Sequence, residues 1–384
     1  MKNIYFDNNA TTKVAPEVLD AMLPMFKDYW GNPSSMHFFG GNVKKHLDAA
    51  REQAAALIGA DPSEIFFTSC GTESDNTAIR GVVEAHKIKP RLITTRVEHP
   101  AVLEPFRFLR GQGFTDIELE VDSKGQLNLE ELNAELKKGP AFVSIMWANN
   151  ETGVVFPIKQ IAEAVKSSGS IMHTDAVQAV GKMELSVKDT PVDMLTFSGH
   201  KIHAPKGVGV LYIRKGVRMN PLLFGGHQES GKRGGTENTP GIVGLGKACE
   251  LAASSLVSDM DKVAQLRNKL ESGLIASVKD SQINGDLINR LPNTTNISFQ
   301  YVEGEAILYH CSDAGIAASS GSACALGSLE PSHVIRAMGV PFTMAHGSIR
   351  FSLSRYNTMQ EVDYALETVP GIIAKLRAMS PFGH

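Results

Sequence analysis

Residues Phe142–Lys201 read FVSIMWANNETGVVFPIKQIAEAVKSSGSIMHTDAVQAVGKMELSVKDTPVDMLTFSGHK. Three short apolar runs, Phe142–Trp147, Ile171–Asp175 and Met194–Ser198, are too brief for helices and read as strands. Between the first two, Ile158–Ser168 spaces its apolar residues as a helix does. Strand–helix–strand is the unit of a parallel sheet, because parallel neighbours need a long crossover. Moving outward, Ile65–Thr68, Leu92–Thr95 and Val208–Ile213 repeat the strand pattern, and Pro100–Arg110 adds a helix. The expectation is an α/β fold whose main sheet is mostly parallel and covered on both faces.

Farther out, Pro16 opens an early helix that stops short of Gly31, and Gly59 ends the alanine-rich Val43–Ile58. A long helical stretch runs from about Pro240 to Val278, and the pattern then changes. Asn296–Gln300 and Ser348–Leu353 look like strands, while Gly304–Cys311, Ser332–Met338 and Met359–Met379 look like helices. This predicts a large domain over 15–257 and a smaller α+β domain built from 1–14 and 258–384.

The 384 residues carry 38 basic and 41 acidic side chains, a net charge of −3, which gives no electrostatic case for nucleic acid or anionic membrane. Cys70, Cys249, Cys311 and Cys324 include no C-x-x-C pair and no metal-site spacing. They predict a reducing compartment and no structural metal. Asp7 stands where a signal peptide requires apolar residues, and no run approaches the roughly 18 a membrane helix needs. The expected location is cytoplasmic.

Polar residues of unusual kind follow strand after strand. They are Gly71 and Thr72, His99, Asn149, Asp175, and Ser198 with His200 and Lys201. In parallel sheets ligands collect beyond the carboxyl ends of the strands, so these residues are expected to share one edge. Gly71-Thr72 at the start of a helix suits a phosphate, although Thr72 with Asp75 also reads as an ordinary capping box. A lysine in a polar cleft can form a Schiff base, and an aspartate can hold a pyridine nitrogen protonated. Lys201 and Asp175 are the candidates, with His99 to stack on the ring and Gln178 to donate toward the ring oxygen. Either charge alone would more simply be a surface ion pair. Gly241–Ala248 nearly matches a phosphate-binding loop, but Ala248 stands where a hydroxyl is required, so helix packing is expected.

Several stretches carry a resemblance to the pyridoxal-phosphate-dependent cysteine desulfurases of the class V aminotransferase group. They are YFDNNATT, EHPAV (Glu98–Val102), NNETG (Asn149–Gly153), HTDAVQAVGK (His173–Lys182), SGHKIHAPKG (Ser198–Gly207), RGGTENTP (Arg233–Pro240), SSGSACALGSLEPSHV (Ser319–Val334) and SIRFSLSRYNT (Ser348–Thr358). The cysteine motif looks most like the NifS/IscS branch and leans toward NifS. The resemblance implies the fold type I transferase architecture, with a seven-stranded, mainly parallel sheet in the large domain. It implies pyridoxal 5′-phosphate as cofactor, with Lys201 as its covalent anchor and Asp175 and Gln178 on the ring. His99 would stack on that ring and move protons, and Gly71, Thr72, Ser198 and His200 would hold the phosphate. Thr236 would reach the phosphate of a second subunit, making the protein a homodimer. Asn149 would touch cofactor and substrate, and Arg350 would clamp the substrate carboxylate.

Cys324 decides the reaction class. It lies in Ser319–Ser328, a run with almost no large apolar side chain, which predicts a mobile, accessible loop over about 319–330. A thiol there can reach a substrate sulfur. The implied activity turns L-cysteine into L-alanine and leaves a persulfide on Cys324. Its sulfur would go to an acceptor protein such as an iron–sulfur scaffold. A class V aminotransferase would not need this thiol, a selenocysteine lyase would share most of the site, and a non-catalytic sulfur carrier would bind no cofactor.

Overall fold

The computed structural model describes residues 3–86, 91–320 and 330–380. The chain opens with β1 (Ile4–Tyr5), α1 (Pro16–Lys27) and α2 (Phe38–Ile58). Then follow β2 (Ile65–Thr68), α3 (Gly71–Ala85), β3 (Arg91–Thr95), α4 (Pro100–Gly111), β4 (Asp116–Leu119), α5 (Leu129–Leu136), β5 (Ala141–Ser144), α6 (Ile158–Ser167), β6 (Ile171–Asp175), β7 (Met194–Ser198) and β8 (Gly209–Ile213). The last third holds α7 (Thr239–Ser277), β9 (Ser281–Ile283), β10 (Thr294–Phe299), α8 (Gly304–Asp313), β11 (Ile316–Ala317), α9 (His333–Ala337), α10 (Phe342–Ala345), β12 (Ser348–Ser352) and α11 (Met359–Met379).

Seven strands form the main sheet in the order β2-β8-β7-β6-β5-β3-β4. Every neighbouring pair from β7 to β4 is parallel, and β8 alone runs against both its neighbours. The α/β architecture with a seven-stranded, mainly parallel sheet is therefore the one expected. Its central strands are buried on both faces, which is why they read as continuous apolar runs rather than alternating ones. The strand expected over Phe142–Trp147 is regular only to Ser144. Even so, Ile145 and Trp147 still donate to His173 and Asp175 of β6, at 3.2 and 2.8 Å.

One large core lies between the sheet and helices α1, α2, α6 and α7. On the other face, α3 and α4 close a smaller core with Phe66, Phe106 and Phe142. A separate core forms around the antiparallel sheet β12-β10-β9, covered by α8, α11 and the later turns of α7. Ile4 and Phe6 are buried in it, and β1 pairs with β11. α7 runs unbroken through residues 257 and 258 and contributes to both major cores. The near phosphate-loop Gly241–Ala248 is its first two turns. A side chain at Gly246 would come within 2.6 Å of the Ala50 Cα, so glycine lets α7 cross α2 backbone to backbone.

Candidate active site

β6 and β7 end at Asp175 and Ser198, and the parallel sheet sets those ends side by side. A single 3₁₀ turn, Gly199–Lys201, then brings the lysine back over the sheet edge. Lys201 Nζ donates to the main-chain oxygens of Asn9 (2.5 Å) and Ala10 (2.8 Å), and Gln178 Nε2 donates to the same Asn9 oxygen at 3.0 Å. Asn9 is the hub. Its amide group donates to Asn150 O and Thr294 Oγ1, and its Oδ1 accepts from Lys182 and Asn293.

Electrostatics tie Asp175 to this lysine. Burial pushes the Asp175 carboxyl up to about 6, while the Val177 N–H (2.9 Å) and the Lys201 charge pull it back down. Two further carboxyls lie behind it. Burial pushes Glu98 up to about 8, so it keeps a proton near neutral pH, and raises Asp75 well above the usual carboxylate range. His173 Nε2 is 3.6 Å from Asp75 Oδ1, yet burial holds the imidazole down near 3. The imidazole is therefore neutral and the contact is no ion pair.

His99 caps α4, its Nδ1 accepting the Ala101 N–H at 3.1 Å. That bond puts the ring proton on Nε2. Burial, with the nearby Lys201 and His333 charges, lowers His99 to about 4. His200 falls to about 4 for the same reasons, burial and then Lys201, and its Nδ1 lies 3.1 Å from Thr11 Oγ1.

At the phosphate candidate, Cys70 rather than Thr72 caps α3: its Sγ accepts the Glu73 N–H and Glu73 Oε2 accepts the Ser69 N–H. The alternative Thr72–Asp75 capping box is thereby displaced, because Asp75 faces the core. Thr72 is left exposed in the first turn, where backbone N–H groups lack helical acceptors. A side chain at Gly71 would sit 3.0 Å from Val177 and 3.6 Å from the Ser198 Cβ, so these segments converge. The Ser198 hydroxyl is buried without a hydrogen-bond partner.

Arg350, 2% exposed in β12, donates to Asp7 Oδ1 (2.7 Å) and to Asn150 O (2.9 Å). Asn149 is spent on its own loop: Nδ2 donates to Val97 O, and Oδ1 accepts from the N–H groups of Glu151 and Thr152. Thr236 stands apart, exposed beside a second hollow lined by Thr68, Ser69 and Arg233. Cys324 lies outside the described residues. Both flanks of its segment are fastened at the site, however. Ser319 pairs with Arg350 of β12 through two backbone hydrogen bonds. Ser332 bonds to Glu151, and His333 donates to the Glu98 carbonyl at 2.9 Å.

Asn9, Glu98, Lys182 and Asp7 received no role from sequence. Asn9, Glu98, Lys182 and Asp7 fall inside quoted motifs, so the signal was present, but buried hydrogen bonding leaves no trace in residue type.

The class V aminotransferase family model matches residues 4–365. A cysteine desulfurase of Nostoc sp. is 59% identical over 382 residues, covering all of this chain and 96% of its own length. The cysteine desulfurase NifS of Azotobacter vinelandii is 54% identical over 383 residues, covering all of this chain and 95% of its own. A solved NifS-like protein superposes with a TM-score of 0.91 at 42% identity, over 97% of this chain and all of that one. The chain thus belongs to the class V aminotransferases and, within them, to the cysteine desulfurases of the NifS type.

Proposed function

We propose that this enzyme removes sulfur from L-cysteine with pyridoxal 5′-phosphate, stores it on Cys324 as a persulfide and releases L-alanine. The observation that carries the reading is the double anchorage of the Cys324 segment, by Ser319 to the Arg350 strand and by Ser332 and His333 to Glu151 and Glu98. Ser319, five residues before Cys324 in the chain, is thereby fixed beside Arg350, and Lys201 and Arg350 converge on Asn9 and Asn150.

The residues present fit the cofactor. The orphaned Ser198 hydroxyl and the first turn of α3 offer donors to a phosphate, while the space above Gly71 would be filled by a Cβ. Thr72 and His200 complete that seat, and Thr236 would complete it from a second subunit. Asp175 would sit on the ring nitrogen and Gln178 near the ring oxygen. When bound, the cofactor would supply an electron sink for the carbon skeleton of the substrate. The Lys201 amine would anchor it and would carry the α-proton. His99, neutral above about pH 4, would cover the ring and present its Nε2–H as a proton donor. Arg350 would hold the substrate, the guanidinium offering a fork to its carboxylate. Cys324 attacks the substrate sulfur as a thiolate: an S–S bond forms, the C–S bond breaks, and its electrons remain with the carbon that becomes the alanine methyl.

A homodimer is the expected assembly. Leu19, Leu23, Phe26 and Trp30 in and after α1, with Met36, Phe38 and Phe39 before and at the start of α2, are exposed large apolar side chains. Such a patch is covered in solution by a partner. An acceptor protein, such as an iron–sulfur scaffold, would take the sulfur, and the setting would be the cytoplasm. No helix among the described residues is long and apolar enough to cross a membrane, and none of their His, Cys, Asp and Glu clusters could hold a metal. We assign the large domain to 15–257 and the small one to 1–14 and 258–384.

The test is to reconstitute the protein with pyridoxal phosphate, supply L-cysteine, and follow alanine and the mass of the Cys324 peptide. One added sulfur atom on Cys324 supports the reading. Cys324→Ser should keep the visible cofactor band and lose at least about a hundredfold in turnover. Turnover at the parental rate would refute the assignment. Lys201→Ala should lose the covalent band altogether.

A further inference from the structure

Lys182 is a lysine in an unusual place. It is 6% exposed, in the turn after β6, and none of its hydrogen-bond partners is a carboxylate. Its Nζ donates to Gln178 Oε1 at 2.5 Å and to Asn9 Oδ1 at 3.2 Å. The opposite ends of those two amides are committed elsewhere: Gln178 Nε2 to the Asn9 carbonyl that also receives Lys201, and Asn9 Nδ2 to Asn150 and Thr294. Lys182 and Lys201 thus meet the same asparagine, one at its side-chain oxygen and the other at its main-chain oxygen.

We propose that Lys182 is a positioning residue: by occupying Gln178 Oε1 and Asn9 Oδ1 it fixes which end of the Gln178 amide faces Lys201 and the cofactor. A carboxamide has nearly equivalent ends, and only its neighbours decide which one points where. Without the lysine, nothing at that oxygen would keep the donor end directed inward.

The charges around Lys182 agree with an amine that has only two acceptors to satisfy. Lys201, His200 and His203 face it from the turn after β7, Arg350 from β12, and Arg355 and Asp259 across a cleft that Lys182 and Lys201 both line. Asp259 is tied to Arg355 and Ser255, and Asp7 to Arg350. Burial first, then the Lys201 and Arg350 charges, lower Lys182 well below the usual amine range. Two amide oxygens, neither of them charged, meet that amine.

The proposal rests on Gln178 facing the cofactor, so its test separates the two. The holoenzyme, Lys182→Met, Gln178→Ala and the double variant are titrated with pH while the visible band of bound pyridoxal phosphate is recorded. Lys182→Met should move the midpoint by at least about half a pH unit, in the direction Gln178→Ala moves it. The double variant should titrate like Gln178→Ala alone. A midpoint unchanged in Lys182→Met, with only a lower melting temperature, would reduce Lys182 to packing and overturn the proposal, as would additive shifts. A wild-type protein that acquires no band at all would instead sink the functional reading. A cofactor-independent readout is the crystal structure of Lys182→Met, or of Lys182→Gln where the methionine variant fails to fold. The Gln178 amide should leave the Asn9 carbonyl, and an unmoved amide overturns the inference.

Discussion

Glu98 shows how burial alone can write a pH dependence. Its Oε1 accepts from Met146 N–H and Thr95 Oγ1, its Oε2 is buried without a partner, and burial lifts the carboxyl to about 8. In an unfolded chain the group would titrate near 4.5. A carboxyl with a raised folded value favours folding fully below the unfolded one and loses that contribution as pH climbs from about 4.5 through 8. Glu98→Gln stays neutral throughout. Its melting temperature relative to the parent should therefore rise between pH 5 and pH 9, by at least about 3 °C. A difference that stays flat with pH would show Glu98 already ionised. A second residue-scale prediction concerns Arg350: Arg350→Lys keeps the charge but loses the fork, and KM for L-cysteine should rise at least about tenfold. Steady-state kinetics on the reconstituted enzyme decide it.

At the level of elements, α2 and α7 cross at Gly246 with Ala50 beneath it. Gly246→Val would push a branched side chain into a backbone that cannot give way, and should cost about 2 kcal/mol or more in denaturant unfolding. Gly246→Ser should cost less. This crossing also explains what sequence could and could not tell. Gly241–Ala248 was legible as helix packing because a hydroxyl was missing from the loop motif and no strand preceded it. The strands β2, β3, β5, β6, β7 and β8 were legible as short, turn-bounded runs that burial on both faces keeps nearly free of charge. β4 was not: Asp116 and Glu118 give it the look of a loop, since an edge strand is free to carry charge. Nor was the reversal of β8, because strand direction leaves no compositional mark. At the site, Lys201, Asp175, Ser198 and His200 were predictable from their place at strand ends. Asn9 was not, since its importance comes from seven hydrogen bonds made by one ordinary asparagine across the fold.

For the whole molecule, the exposed face around α1 predicts the state of association. Sedimentation of the parent should give twice the 41.4 kDa chain mass. A Phe26→Asp, Trp30→Asp double variant should shift the protein toward monomer at micromolar concentration while keeping its helical signal. If the face is instead open to solvent in the native state, those two aspartates will leave the mass unchanged.

The lone reversed strand also has a temporal meaning. Among the described strands β2 pairs only with β8, and β8 is inserted between β2 and β7. On the ribosome, then, Ile65-Phe66-Phe67-Thr68 emerges early but has no sheet to join until residues 209–213 have been made. Through that interval a sticky hydrophobic tetrapeptide waits unprotected, which makes the nascent chain a natural client for a holding chaperone. Truncated chains ending before residue 209 should clump on release, whereas chains reaching past 213 should begin to resist protease across their first hundred residues.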